Sequence, residues 1–341
     1  MTGKVRSAVK LAVIAREAGV SVSTVSKVVN GRADVSAGTR ARVRGVLDRY
    51  GYPLDSSPVA SAKLGSALLD VIIRELESAW SSALLSEVER AAADRGLNIV
   101  VSTVQADPVH PIPPRRWLDQ VSARGTCGVL GILVDFSEAQ SDYLRDAAIP
   151  RVVVDPSAEQ ERSVTTVRID NRRSQYRLTR HLIELGHTRI AMVDGNRHTL
   201  PARERREGFE AAMREARLPI REAWRKDGGF DRDDAQRAMT ELMTGPERPT
   251  AVAFASDKGA LGGLAAARLL GLDVPGEVSV TGFDDIPDAR AAIPALTTVR
   301  QPVEAMVAAA LDRIVDPPPV GRRIMCAAEP VFRDSTAPPR R

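Results

Sequence analysis

The sequence predicts a small all-α head followed by an α/β body of two doubly wound lobes. Three observations predict it. Apolar residues recur at helical spacing, broken by a glycine, within the first fifty positions. That segment is strongly basic while the remainder is mildly acidic. From residue 67 onward, short apolar runs alternate with amphipathic stretches. At 341 residues the chain exceeds what one hydrophobic core organises, so two or three folding units are expected.

In the head, Leu11, Ile14, Ala15 and Ala18 form one helical face and Gly19 stops the run, predicting a helix over 11–18. Ser21 is placed to cap a second helix running to about Asn30. Ser36 is placed to cap a third, with Val43, Val46, Leu47 and Tyr50 on one face. Two helices joined by a glycine-centred turn of three or four residues make a helix-turn-helix. Residues 51–66, GYPLDSSPVASAKLGS, have the Pro, Ser, Ala and Gly content of a hinge or linker.

Residues 1–63 hold eleven Lys and Arg against four Asp and Glu, a charge of +7, so the whole-chain +4 leaves −3 for the rest. A basic head on an acidic body is the electrostatic footprint of a polyanion-binding module attached to something else. Only six of the 48 bases are Lys, so Arg is favoured throughout and a cluster such as 203–206 is weak evidence for a phosphate site.

In the body the apolar runs are 68–73, 99–102, 129–134, 152–154, 190–193, 252–255 and 278–282. Helical patterns lie at 81–95, 143–148, 174–185, 203–216, 233–243 and 257–270. Continuous apolar strands between helices imply parallel sheets covered on both faces, and there are too many units for one small sheet. Ligands of such sheets sit at the carboxyl ends of strands, here the cleft between two lobes. The polar residues directly after strands are Asp155, Ser256 with Asp257, and Asp284 with Asp285.

No apolar run approaches the ~20 residues of a membrane span, and no apolar segment follows Met1 to Lys10, so a cytoplasmic chain is expected. Cys127 and Cys326 are expected as buried free thiols. A Gly-rich phosphate loop, a nucleophile elbow and paired metal-spaced histidines are all missing, so neither enzyme activity, cofactor nor metal is expected. His181 and His187 flank a predicted helix end and read as capping or packing residues. A secreted solute-binding protein would account for the body alone, but not for the basic head.

The stretch from Leu11 to Tyr52 carries Ala18-Gly19-Val20-Ser21, Thr24-Val25-Ser26-Lys27-Val28-Val29-Asn30, Val35-Ser36 with Thr39-Arg40, and Gly51-Tyr52. It closely resembles the DNA-binding headpiece of the lactose/galactose repressor (LacI/GalR) family. The resemblance implies that Val22, Ser23 and Lys27 read base edges, Lys27 by donating to guanine and Val22 by apolar contact with a thymine methyl. It implies phosphate contacts or positioning at Ser21, Thr24, Ser26, Asn30, Ser36, Thr39 and Tyr52. Two departures stand out. Lys10 replaces the usual capping Thr. In the hinge, Pro58 stands at the usual Ala and Ser61 at the Leu that wedges into the minor groove. Either the hinge helix starts at Pro58 and wedges with another residue such as Leu64, or the operator is not kinked in the family's manner.

The resemblance continues through His181-Leu182-Ile183-Glu184-Leu185-Gly186-His187, Ala202-Arg203 with Gly208-Phe209, Ala255-Ser256-Asp257, and Val280-Thr281-Gly282-Phe283-Asp284-Asp285. Leu296-Thr297-Thr298-Val299 with Gln301-Pro302, and Arg333-Asp334-Ser335-Thr336, complete it. It implies a helix-turn-helix domain over 1–50, a hinge over 51–66 and a periplasmic-binding-protein-like core over 67–337. The implied N-lobe covers about 67–167 and 303–328, and the C-lobe about 168–302 and 329–337. The implied partners are a pseudo-palindromic double-stranded operator, a second copy of the chain and a sugar or sugar-like effector, with no membrane. Repression of a carbohydrate-utilisation operon, relieved by the sugar, is the default sign; co-repression is the alternative. Effector contacts fall on Asp155, Arg203, Phe230, Ser256 and Asp284, with Asp170 and Gln301 as further candidates. Arg203 and Asp284 would serve as fork donor and carboxylate acceptor for sugar hydroxyls. Trp80 could face the cleft or the dimer partner. Ser174 stands where relatives usually have Gly, and residues 74–80 carry unusual charge.

Overall fold

The computed structural model describes residues 11–29, 35–50, 67–104 and 111–340. Lys10, Asn30, Tyr52, Pro58, Ser61 and Leu64 lie outside these residues, as does the side chain of Ser26. The chain separates into two compact units, the head and the body.

The head is α1 (Leu11–Ala18), α2 (Val22–Val29) and α3 (Ala37–Arg49). Gly19 at φ 63° ends α1, and the amides of Gly19 and Val20 turn back onto the carbonyls of Arg16 and Ala15. That αL closure satisfies carbonyls the helix end would leave unpaired. Ser21 Oγ accepts from the Thr24 amide at 3.2 Å and Ser36 Oγ from the Thr39 amide at 3.3 Å, so both expected caps form. Ile14, Ala15, Ala18, Val25, Val28, Val43, Val46 and Leu47 make the core. Tyr50, expected on the same face as Leu47, is instead exposed, because it lies just beyond the end of α3.

The body begins with β1 (Ala67–Ile73), α4 (Ala79–Ala93), β2 (Leu97–Thr103), α5 (Arg115–Arg124), β3 (Gly128–Ile132), α6 (Glu138–Asp146), β4 (Arg151–Val154) and β5 (Thr165–Ile169). The chain then passes into a second lobe: α7 (Asn171–Glu184), β6 (Ile190–Asp194), α8 (Leu200–Glu215), β7 (Arg225–Asp227), α9 (Arg232–Thr244), β8 (Ala251–Phe254), α10 (Asp257–Leu269), β9 (Ser279–Thr281), α11 (Pro287–Ala291) and β10 (Thr298–Arg300). It returns to the first lobe with α12 (Val303–Val315) and β11 (Arg323–Cys326), and β12 (Glu329–Val331) crosses back to pair antiparallel with β10. The first sheet has the order β2-β1-β3-β4-β5-β11 and the second β7-β6-β8-β9. The registered neighbours within each sheet run parallel.

Wholly buried runs such as GVLGI in β3 and AVAF in β8 are what a parallel sheet covered on both faces requires. β5 is equally buried but was not readable as an apolar run, because Thr165, Thr166 and Arg168 interrupt it. α6 starts well before residue 143, where Ser137 and Gln140 form a reciprocal capping box. α5 and α12 also escape the periodicity reading; α12 packs on α4 and on β3, β4 and β5.

Among the described residues no helix is long and apolar enough to cross a membrane. Cys127 and Cys326 are free and half-buried rather than fully buried, and burial pushes both thiols upward in pKa. The histidines pack and bond. The His187 ring lies 2.9 Å from Thr250 Oγ1 and 2.9 Å from the Ala337 carbonyl, tying the C-terminal segment to the second lobe. His181 stacks on Phe332 at 4.1 Å.

Candidate functional site

In the head, α2 presents Val22, Ser23 and Lys27 outward, with Val22 47% exposed, while Val25 and Val28 are buried. Ser21 Oγ lies 2.8 Å from the hydroxyls of both Ser23 and Thr24. Ser36 Oγ donates to Thr39 Oγ1 at 2.9 Å. The two serines and their partners therefore cluster at the N-termini of α2 and α3, where amides and helix dipoles favour anions.

The body holds a cavity of about 420 Å³ lined by both lobes. Trp80 and Asp155 come from the first lobe; Arg205, Phe230, Ser256 and Asp284 come from the second. Asp155 follows β4 and accepts from Trp80 Nε1 at 3.3 Å. Ser256 follows β8 and caps α10, accepting from the Gly259 amide at 3.1 Å. Phe230 lies with its ring against Gly195, where any side chain would collide with it. Asp155, Phe230 and Asp284 all sit at positive φ, at 50°, 63° and 114°. Such backbone conformations are costly for side-chain-bearing residues and cluster where a site needs them.

Arg205 is the hub. It is 3% exposed, yet its Nε donates to Asn171 Oδ1 at 2.9 Å and its Nη1 to the Ala255 carbonyl at 2.6 Å. Its Nη2 lies 3.4 Å from Asp284 Oδ1, and the guanidinium stacks 3.7 Å from the Phe283 ring centre. Burial pushes the Asp284 carboxyl up to about 6, against the pull of Arg205 and a 2.7 Å hydrogen bond from Gln301 Nε2. Burial also raises the Asp155 carboxyl, again opposed by Arg205.

The arginine that lines the cavity stands two residues beyond the expected one. Arg203 is exposed and does not line the cavity, whereas Arg205 does. Two steps on a helix turn a side chain by roughly 200°, so the two arginines face opposite ways. The signal was present: Ala202, Arg205, Phe209 and Ala212 form the buried stripe of α8, and Arg203 lies off it. Asp170 is also outside the cavity, exposed and capping α7 through a 2.8 Å bond from the Arg173 amide. Gln301 is buried behind Asp284 and braces it without lining the cavity.

Each doublet after a strand divides its labour. Ser256 and Asp284 face the cavity, while their neighbours hold the walls. Asp257 is fully buried, takes the Ile286 amide at 3.0 Å and the Thr298 hydroxyl at 2.5 Å, and is raised well above the usual carboxylate range by burial. Burial also opposes charge on Asp285, but hydrogen bonds from Arg300 and Arg333, both 2.6 Å, win and hold it low. Trp80 faces the cavity, and Arg74, Glu75 and Glu77 line it as well. Ser174 Oγ donates to the Asp170 carbonyl at 2.7 Å, a bond that a glycine in its place could not make. Among the described residues no cluster of His, Cys, Asp and Glu could hold a metal ion.

Residues 10–53 match the model for bacterial regulatory proteins of the lacI family, and residues 179–336 match a periplasmic binding protein-like domain. The chain is 34% identical over 338 residues to the HTH-type transcriptional regulator MalR of Streptomyces coelicolor, covering 96% of each chain. It is 32% identical over 292 residues to the HTH-type transcriptional repressor PurR of Haemophilus influenzae, covering 84% of each. Its structure is similar to that of a transcriptional regulator CelR–cellobiose complex, with 28% identity, a TM-score of 0.69, and 96% of this chain and 99% of that one covered. The fold is also that of the lac repressor dimer bound to operator and an anti-inducer, with 24% identity, a TM-score of 0.70 and the same coverage.

Proposed function

Because the chain belongs to the lacI family of bacterial regulatory proteins, we propose that it is a cytoplasmic repressor whose operator affinity is set by a sugar bound between the lobes of its body. The observation that carries the effector half is the cavity itself. A buried fork donor (Arg205) faces a carboxylate (Asp284), a second carboxylate (Asp155) lies across the cleft, and two aromatic side chains, Trp80 and Phe230, border the space. Polyols need this combination: charged groups that pair neighbouring hydroxyls, and apolar faces to cover the ring. The similarity to the cellobiose complex of CelR supports a carbohydrate as the ligand class.

Operator reading falls to Val22, Ser23 and Lys27, with Ser21, Thr24, Ser26, Asn30, Ser36, Thr39 and Tyr52 gripping phosphates. A homodimer sets two such helices in successive major grooves of a pseudo-palindrome. Effector and operator then bias one another reciprocally, because any differential affinity between two states is shared by both ligands. Repression with release by the sugar is the reading we adopt.

Asp284 gives this reading a pH signature. Its folded-state pKa, raised from 3.8 to about 6, means the folded chain holds that proton more tightly than the unfolded one. Charging Asp284 as pH rises through about 6 therefore costs folding stability, and protonation relieves the cost. Sugar binding has the opposite need, since it uses the carboxylate as acceptor. Titrating a panel of mono- and disaccharides by calorimetry should show affinity falling as pH drops from about 8 to about 5. Asp284→Asn should bind weakly and lose most of that pH dependence, leaving the smaller part set by Asp155, whose carboxyl burial also raises. A wild-type affinity that is flat across this range would remove Asp284 from the effector contacts.

A further inference from the structure

A second cavity, of about 340 Å³, lies in the first lobe between the loop after β4 and the start of β11. Four arginines line it (Arg162, Arg168, Arg322 and Arg323) against two glutamates, Glu159 and Glu161. Arg168 is only 8% exposed, and its Nε has no hydrogen-bond partner among the described residues. A buried guanidinium with a donor left over is expensive unless a further acceptor is supplied. Glu159 lies half-exposed between two of these arginines, 3.6 Å from Arg168 and 2.7 Å from Arg323. Arg162 and Arg322 are exposed beside them.

We propose that this cavity binds a small phosphate monoester, whose oxygens take the place of the Glu159 carboxylate on Arg168 and Arg323. Arginine forks match the planar geometry of phosphate oxygens, and a dianion gains more from four guanidinium groups than a half-solvated carboxylate does. The site is joined to the effector cavity by side chains. Arg168 Nη2 donates to Glu204 Oε1 at 2.6 Å; Asn171 Nδ2 donates to Glu204 Oε2 at 3.2 Å; Arg205 Nε donates to Asn171 Oδ1 at 2.9 Å. Arg168 stands on β5 of the first lobe and Glu204 on α8 of the second, so drawing Arg168 toward a ligand weakens a bridge between the lobes. The phosphate monoester is thus a second input to the same equilibrium.

Calorimetry on the full chain tests this with three probes: ribose 5-phosphate, ribose and inorganic phosphate. Ribose 5-phosphate and phosphate should bind in competition with each other, and ribose should not displace them. The double variant Arg162→Ala/Arg322→Ala, at two exposed positions that leave the core intact, should weaken binding by about tenfold or more. Glu159→Gln should tighten it severalfold, because the internal competitor loses its charge. Absence of heat for both anions up to ~10 mM overturns the proposal, as does equal affinity in the arginine double variant. Unchanged affinity in Glu159→Gln overturns the displacement. Loss of ribose 5-phosphate binding in Asp284→Asn but not in the arginine double variant would put the anion in the effector cavity and overturn it too.

Discussion

Arg205→Ala should abolish the response to the effector and lower the melting temperature by several degrees, while Arg203→Ala should do neither. Arg205 is buried, and its guanidinium serves Asn171, the Ala255 carbonyl and Asp284 at once while stacking on Phe283. Removing Arg205 leaves Asp284 with only the Gln301 amide as donor and the Ala255 carbonyl without its guanidinium partner. Truncating one partner of a buried charge pair costs about 3–5 kcal/mol. Asp284 would then be protonated at a still higher pH, so the cavity loses its fork donor and its charged acceptor together. Arg203 is exposed, and exposed charges contribute about 0–1 kcal/mol. Effector titration and thermal melts of the two variants give the comparison. An intact effector response in Arg205→Ala would mean the sugar is held elsewhere.

Leu47→Ala should separate the two activities. Leu47 is fully buried in a small head core that, among the described residues, joins eight buried side chains of three short helices, with Val20 and Val35 packed against it. Leu→Ala in a core costs about 2–5 kcal/mol, and a core this small rarely supplies more than about 3–5 kcal/mol in all. The head should therefore unfold at ordinary temperature and operator binding should vanish, while the body keeps its effector affinity because Leu47 belongs to the other unit. Arg49→Ala, which removes an exposed 3.1 Å ion pair with Glu17, should leave the head folded. Retained operator binding in Leu47→Ala, or lost sugar binding, would contradict this division.

The head was legible because its signals are local. Gly19, Ser21 and Ser36 mark the turn and caps within a few residues of the helices they terminate, and the valines and Leu47 fix which faces turn inward. The sheets were legible where the strands are apolar throughout, as in β3 and β8, and hidden where polar residues are buried by tertiary partners. Arg168 in β5 is the clearest case, since its burial rests on tertiary partners distant in sequence, Glu204 of the second lobe above all. The site was half legible. Asp155, Ser256 and Asp284 follow strands, a rule of topology, and the structure brings them to one cavity. The choice between Arg203 and Arg205 turned on helix phase, which the stripe of Ala202, Phe209 and Ala212 carried and motif matching did not. The positive φ at Asp155, Phe230 and Asp284 left no mark on residue type, because none of the three is glycine. The hinge signals at Pro58, Ser61 and Leu64 fall outside the described residues.

The most direct measurement is a titration of the full chain against pseudo-palindromic and random duplexes at ~150 mM salt, where counterion-driven, sequence-independent binding is weak, repeated with each sugar of the panel. A palindrome with half-sites one helical turn apart should be bound on the order of 10³-fold or more tightly than random duplex, and at least one sugar should shift that ratio. Equal affinity for every duplex, with and without sugars, would contradict it.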